Sequence, residues 1–221
     1  QQFVSSVGTA EDFGSSAFCL NTMQAIALLD IRLFNTDRHG GNLLVSKRKG
    51  TNGKKPLIPI DHGLCLPDFH HLGELNIEWL YWRQAELPLG DEARKHVSSL
   101  DVDRDTKILR SLGLREQSIL TMQLMTRFLK FAVLSLNWSL RAIGKFLSRS
   151  LLPVRGGDGP SLSDFEHLLN RAVATASDRS LPGFLRGDGS VSFTKSRAKS
   201  FLEAAEQQWL KELSPKPTTG A

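Results

Sequence analysis

Cysteine, tyrosine and long apolar runs are all scarce in this 221-residue sequence, which holds two cysteines and one tyrosine. Two cysteines, Cys19 and Cys65, exclude a disulfide framework and a cysteine-based zinc site. Reduced thiols in an intracellular protein are the expected state. No apolar run approaches the roughly 18 residues of a membrane span, and no stretch has the pattern of a secretory leader. The chain opens on Gln1 rather than Met, and the expectation is a segment of a longer protein. A strong excess of one charge is also missing: 28 Lys and Arg stand against 23 Asp and Glu, a net charge of +5. Residues 61–120 carry 11 acidic and 7 basic side chains. That acidic middle interrupts any continuous polyanion-binding face, so no nucleic-acid partner is expected. Repeats and low-complexity tracts are absent. What remains, 40% hydrophobic and 23% charged, is globular, with enough length for one large domain or two small ones.

Residues 1–20 are mixed and polar. From Asn21, apolar Met23, Ile26, Ala27 and Leu29–Ile31 recur at helical spacing, which predicts a helix over 21–33 capped by Asn21 or Thr22. Leu43–Ser46 and Leu57–Ile60 are short apolar runs on either side of a basic stretch containing Asn52-Gly53, a strong turn signal. They predict a hairpin whose tip, Lys47 to Lys55, is either a solvated turn or a membrane-facing basic loop. Helical patterns follow at 91–100, 103–112, 115–135, 138–150, 163–177 and 196–213, the fifth opened by a Ser163-x-x-Glu166 capping box. Glycine- and proline-rich 152–160 and glycine-rich 181–190 read as loops, and 214–221 as a frayed tail. The expected architecture is mainly α with one small β-hairpin.

Two segments carry chemistry. In Asp37-Arg38-His39-Gly40-Gly41-Asn42 a helix ends, a polar glycine loop turns and a strand begins. In Leu57-Ile58-Pro59-Ile60-Asp61-His62-Gly63 an apolar strand runs into an acid and a glycine. Each residue alone has an ordinary explanation: Asp37, Asn42 and Asp61 as turn formers, His39 as a loop histidine. Together they form a compound signal. Phosphoryl transfer needs a proton acceptor near the attacking hydroxyl and hard oxygen ligands for magnesium. Protein kinases place an aspartate five residues before an asparagine, then a strand, a turn and a second strand ending in Asp-Phe-Gly. Asp37 and Asn42 show that spacing, and the hairpin brings Asn42 beside Asp61.

The order Asp-Arg-His-x-x-Asn resembles the phosphatidylinositol 3- and 4-kinases. The stretches LDIRLFNTDRHGGNLLV, LIPIDHGLCLPD and EWLYWRQA are similar to the plant-type gamma phosphatidylinositol 4-kinases. The likeness is strong over 21–85 and weaker to 150. Arg83 departs from it, standing where that class has proline. The resemblance implies a kinase C-terminal lobe over 1–150; residues 151–221 carry no assignable motif and read, from their own pattern, as a helical extension with flexible linkers and a tail. It implies ATP and Mg²⁺ as cofactors, with Mn²⁺ as the alternative ion, and Asn42 and Asp61 as metal and nucleotide ligands. Asp37 stands at the catalytic aspartate. His39 is the proton acceptor or transition-state stabiliser, and Arg38 braces the loop or contacts phosphate. The substrate implied is phosphatidylinositol, giving the 4-phosphate, with the protein cytoplasmic and peripheral on membranes. A protein Ser/Thr kinase and a non-catalytic interaction module are the alternatives.

Two further absences shape that expectation. A kinase clamps phosphates with a lysine on an N-terminal lobe, yet residues 1–36 hold a single basic residue, Arg32. The expectation is that this lobe is absent from the chain, that half of an ATP cleft stands open, and that the segment alone is inactive. From His62 to Trp82 there is no Lys or Arg, so an acceptor already carrying ring phosphates is disfavoured.

Overall fold

The computed structural model describes residues 4–69, 72–149, 162–176 and 194–215. The loops expected at 152–160 and 181–190, the tail beyond 215, and His70 and His71 lie outside them.

Strand β1 (Ser6–Thr9) and a 3-10 turn (Ala10–Asp12) precede helix α1 (Leu20–Leu33). The short strand β2 (Asp37–Arg38) leads through a 3-10 turn to β3 (Leu43–Ser46), and β4 (Leu57–Pro59) completes the expected hairpin. Leu43 pairs with Pro59, Leu44 with Ile58 and Val45 with Leu57. β4 is an edge of the sheet β1-β3-β4, where Pro59, which has no N–H to give, is tolerated. At the turn Asn52 and Gly53 both take positive φ, 56° and 70°. Lys47, Arg48 and Lys49 are exposed. Lys54 instead donates to the Ser16 carbonyl at 2.7 Å, and Lys55 lies 5.3 Å from the centre of the Phe13 ring.

Two features of the opening residues escape the periodicity. β1 pairs antiparallel with β3, although Ser6-Val7-Gly8-Thr9 has no strand alternation. Its partner strand, not its own pattern, holds it extended. Helix α1 begins one residue early, at Leu20 after Cys19. Thr22 does not cap it: its hydroxyl donates to the Cys19 carbonyl at 3.0 Å and accepts from Leu57 N at 3.2 Å, tying helix to hairpin.

Strand β5 (Asn76–Ile77) runs parallel to β2. Then come α2 (Asp91–Ser99), α3 (Val102–Ser111), α4 (Glu116–Lys130), α5 (Leu140–Leu147), α6 (Asp164–Thr175) and α7 (Lys195–Leu213). A π-helical turn (Phe131–Ser135) extends α4, so all six helical patterns are occupied. Ser163 and Glu166 cap α6 reciprocally as expected. α4 is central, with ten of its fifteen residues buried, among them Ser118, Thr121 and Thr126. Its Phe128 ring centre lies 4.7 Å from Phe165 on α6, 5.3 Å from Trp209 on α7 and 5.6 Å from Phe146 on α5. The described part of the 151–221 extension is thus docked on the lobe, sharing its core.

Candidate functional site

The site is built on one buried carboxylate. Asp30 lies on the mostly apolar inner face of α1, 1% exposed. It accepts from Arg38 Nε at 3.1 and 3.2 Å, Asn35 Nδ2 at 2.9 Å and Trp79 Nε1 at 3.0 Å. Burial pushes its carboxyl above the ordinary aspartate range, against the pull of Arg38, Asn35 and Trp79. α1 stops because Phe34 adopts a left-handed conformation, φ 44°. Asn35 then turns the chain: while its Nδ2 holds Asp30, its Oδ1 accepts from Asp37 N at 3.1 Å.

Arg38 carries this anchor to both motifs. Its Nη1 donates to the Asn42 carbonyl at 2.9 Å and to the Ile60 carbonyl at 2.6 Å. One guanidinium therefore fixes the backbone at Asn42 and the residue before Asp61, and Ile60 N closes the pair by donating to Asn42 O at 3.0 Å. Arg38 is fully buried, with contacts that are those of a brace. Its Nη2 has no partner among the described residues.

The other site residues are arranged on this frame. Asn42 Nδ2 donates to the Asp37 carbonyl at 2.9 Å, which leaves its amide oxygen as the group to offer. Asp61 is exposed, with φ 49°, a conformation that aspartate tolerates. Its Oδ1 accepts from Gly63 N at 3.1 Å, leaving Oδ2 without a donor among the described residues. Asp37 is half-buried and receives Asn76 Nδ2 at 3.4 Å. His39 Nδ1 accepts from Gly41 N at 3.1 Å and stands 3.6 Å from Glu11 Oε1. With Nδ1 accepting, the neutral ring carries its proton on Nε2.

Asn42 and Asp61 together present an amide oxygen and a carboxylate, the hard donors Mg²⁺ takes while keeping water and phosphate oxygens elsewhere. The residues fit that ion. Among the described residues no three His, Cys, Asp or Glu side chains gather as a protein-only cage, so phosphate and water would complete the shell. Cys65, near Asp30 and Asp61, has its thiol pushed up to about 11, by burial first and then by those negative charges. It is no ready nucleophile.

Five contributors lie outside the motifs: Asp30, Asn35, Trp79, Asn76 and Glu11. A charged residue within an apolar helical stripe is a signal for Asp30, and the aromatic run 79–82 one for Trp79. Nothing local marks Asn76 or Glu11. Gly40 records the latter contact, since a Cβ there would lie 2.7 Å from Glu11 Cγ.

Comparison with known proteins identifies what the chain is similar to. The family model described as phosphatidylinositol 3- and 4-kinase matches residues 1–140. The chain is 43% identical over 165 residues to phosphatidylinositol 4-kinase gamma 7 of Arabidopsis thaliana, covering 73% of this chain and 25% of that protein. It is 45% identical over 132 residues to phosphatidylinositol 4-kinase gamma 4 of Oryza sativa subsp. japonica, covering 59% and 23%. With phosphatidylinositol 4-kinase gamma 8 of Arabidopsis thaliana it shares 36% over 186 residues, covering 80% and 34%. The chain spans about a quarter of the length of the first two relatives.

Proposed function

The chain belongs to the phosphatidylinositol 3- and 4-kinase family, and from that premise we propose that it is the catalytic lobe of an ATP-dependent kinase converting phosphatidylinositol to its 4-phosphate. The observation that carries this reading is the Arg38 bridge, which brings the Asn42 and Asp61 backbones to one end of the hairpin. Asp37 takes the proton of the acceptor hydroxyl. The hydroxyl oxygen bonds to the γ-phosphorus, the bond from that phosphorus to the β-phosphate oxygen breaks, and ADP leaves. His39 offers Nε2–H to a phosphoryl oxygen, so of its two expected roles the tautomer favours transition-state stabiliser over proton acceptor. Asn42 Oδ1 and Asp61 would hold Mg²⁺, with Mn²⁺ as the alternative, and the bound ion would neutralise phosphate charge.

No lysine precedes Asp37 in these residues, so we assign the phosphate clamp to a separate N-terminal lobe and expect residues 1–221 alone to show no turnover. We place the protein in the cytoplasm, peripheral on a membrane. Exposed Lys47, Arg48 and Lys49 at the hairpin tip support that placement. Among the described residues no helix is long and apolar enough to cross the bilayer. The test joins this lobe to an N-terminal lobe bearing the lysine and supplies labelled ATP. Phosphatidylinositol vesicles, vesicles of its mono- and bisphosphates, and a basic protein then compete as acceptors. The 4-phosphate is the expected main product. Faster labelling of the protein promotes a Ser/Thr kinase, and labelling of nothing promotes a non-catalytic module. Turnover by residues 1–221 alone overturns the two-lobe scheme.

A further inference from the structure

The segment after Asp61 contributes no cation of its own, but the fold brings cations to it from far along the chain. A cavity of about 660 Å³ lies between residues 74–81, helix α5 and the start of α6, a volume typical of small-molecule sites. Its wall at Glu74 and Leu75 runs directly into Asn76, whose side chain touches Asp37. The cavity is therefore joined to the catalytic loop through a single residue, Asn76. α5 can approach this closely because position 144 is glycine: a Cβ there would lie 2.7 Å from Leu80 Cδ1.

Three cations line the cavity, and they are not equivalent. Arg141 is engaged by Glu86 and by the carbonyls of Leu80 and Trp82. Arg149 is engaged by Glu166 and the Leu72 carbonyl. Among the described lining residues, Lys145 alone is a cation with neither an ion pair nor a hydrogen bond, and it is exposed. Glu74, on the 74–81 wall and within electrostatic reach of Arg149, and Asp164, at the start of α6, add two carboxylates to the lining. One uncommitted ammonium beside two carboxylates suits a ligand with one negative charge and several hydroxyls. A ring phosphate, nearly dianionic, would meet those carboxylates with a single cation to offset it. Tyr81, 74% exposed at the rim, presents a flat amphipathic face beside the cavity.

We propose that this cavity is the head-group subsite, with Lys145 binding the phosphodiester of a glycerophosphoinositol moiety and Glu74 and Asp164 receiving its ring hydroxyls. The proposal rests on the lipid-kinase reading and is tested without turnover. The 221-residue chain is titrated with glycerophosphoinositol, following backbone amide shifts at Leu75, Tyr81 and Lys145 by NMR. Saturable shifts are expected there, weakened at least tenfold by Lys145→Glu and unchanged by Lys95→Glu on α2. Glycerophosphoinositol 4,5-bisphosphate and inorganic phosphate should each bind more weakly than the parent compound. Absence of saturable shifts, indifference to Lys145→Glu, or equal or tighter binding of the bisphosphate or of phosphate overturns the subsite. Because no ATP is present, the two readings fail separately. Binding without phosphorylation in the two-lobe protein refutes the kinase reading alone, and phosphorylation without binding refutes the subsite alone.

Discussion

The lobe has two rigid regions held by opposite physics. Around Asp30 and Arg38, rigidity comes from directional hydrogen bonds between buried polar groups. Around Phe128, it comes from packed rings on α4, α5, α6 and α7. A polar network fixes positions closely but fails sharply when one member is lost, since the survivors are left buried and unpaired. A ring cluster supplies more stability and accepts repacking. The contrast teaches that placement of the proposed metal ligands and global stability reside in different parts of this molecule.

The comparison breaks most readily at Arg38. Arg38→Ala strands Asp30 in the core, with an expected loss of about 3–5 kcal/mol in denaturant unfolding and loss of transfer in the two-lobe protein. A variant of wild-type stability would refute the brace. Trp209→Ala should cost a similar amount, about 3–5 kcal/mol, yet leave the rate per folded molecule unchanged below its melting temperature. A rate that fell with stability would show the regions to be coupled. Asp61→Asn reverses the pattern, lowering the transfer rate by about 10²–10³ through lost charge stabilisation with a melting temperature close to wild type. Within the loop, Asp37→Ala should lower the rate by about 10²–10⁴ and His39→Ala by less. The opposite order would return the proton-acceptor role to His39.

The smallest effect sits at the Arg149–Glu166 pair, which links the residues after α5 to the start of α6. Burial alone would raise Glu166, but its bonds to Arg149 and Ser163 outweigh that and lower it from the ordinary 4.5. A depressed carboxyl stabilises above its unfolded value and loses that contribution as pH falls through the folded one. The melting-temperature gap between wild type and Glu166→Gln should therefore be full at pH 6 and shrink below about pH 4.5. A gap constant with pH would remove the charge from the argument.

The helices were legible because each buries one stripe of its own sequence, and the hairpin because Asn52-Gly53 announces it. Asp37, Asn42 and Asp61 were legible as a spacing, since their contacts are local or follow from strand pairing. Arg38 was left between bracing and phosphate contact, because its partner Asp30 sits on a helix read only for its apolar face. Trp79 reaches Asp30 across 49 residues and Asn76 reaches Asp37 across 39, separations at which no local pattern operates. The same limit hid the cations of α5 from a charge count confined to 62–82. That count correctly found none in the segment, but the fold supplies one uncommitted ammonium from Lys145.

The left-handed backbone at Asp61 lets form be separated from charge. Alanine there would remove the carboxylate and also strain a φ of 49°, merging two losses in one measurement. Asparagine retains both the tolerated turn and an oxygen for Gly63 N, deleting only the negative charge. Glycine retains the turn and deletes the side chain. The pair Asp61→Asn and Asp61→Gly thus provides chemically disarmed, conformationally faithful versions of the lobe, suited to trapping whatever binds it.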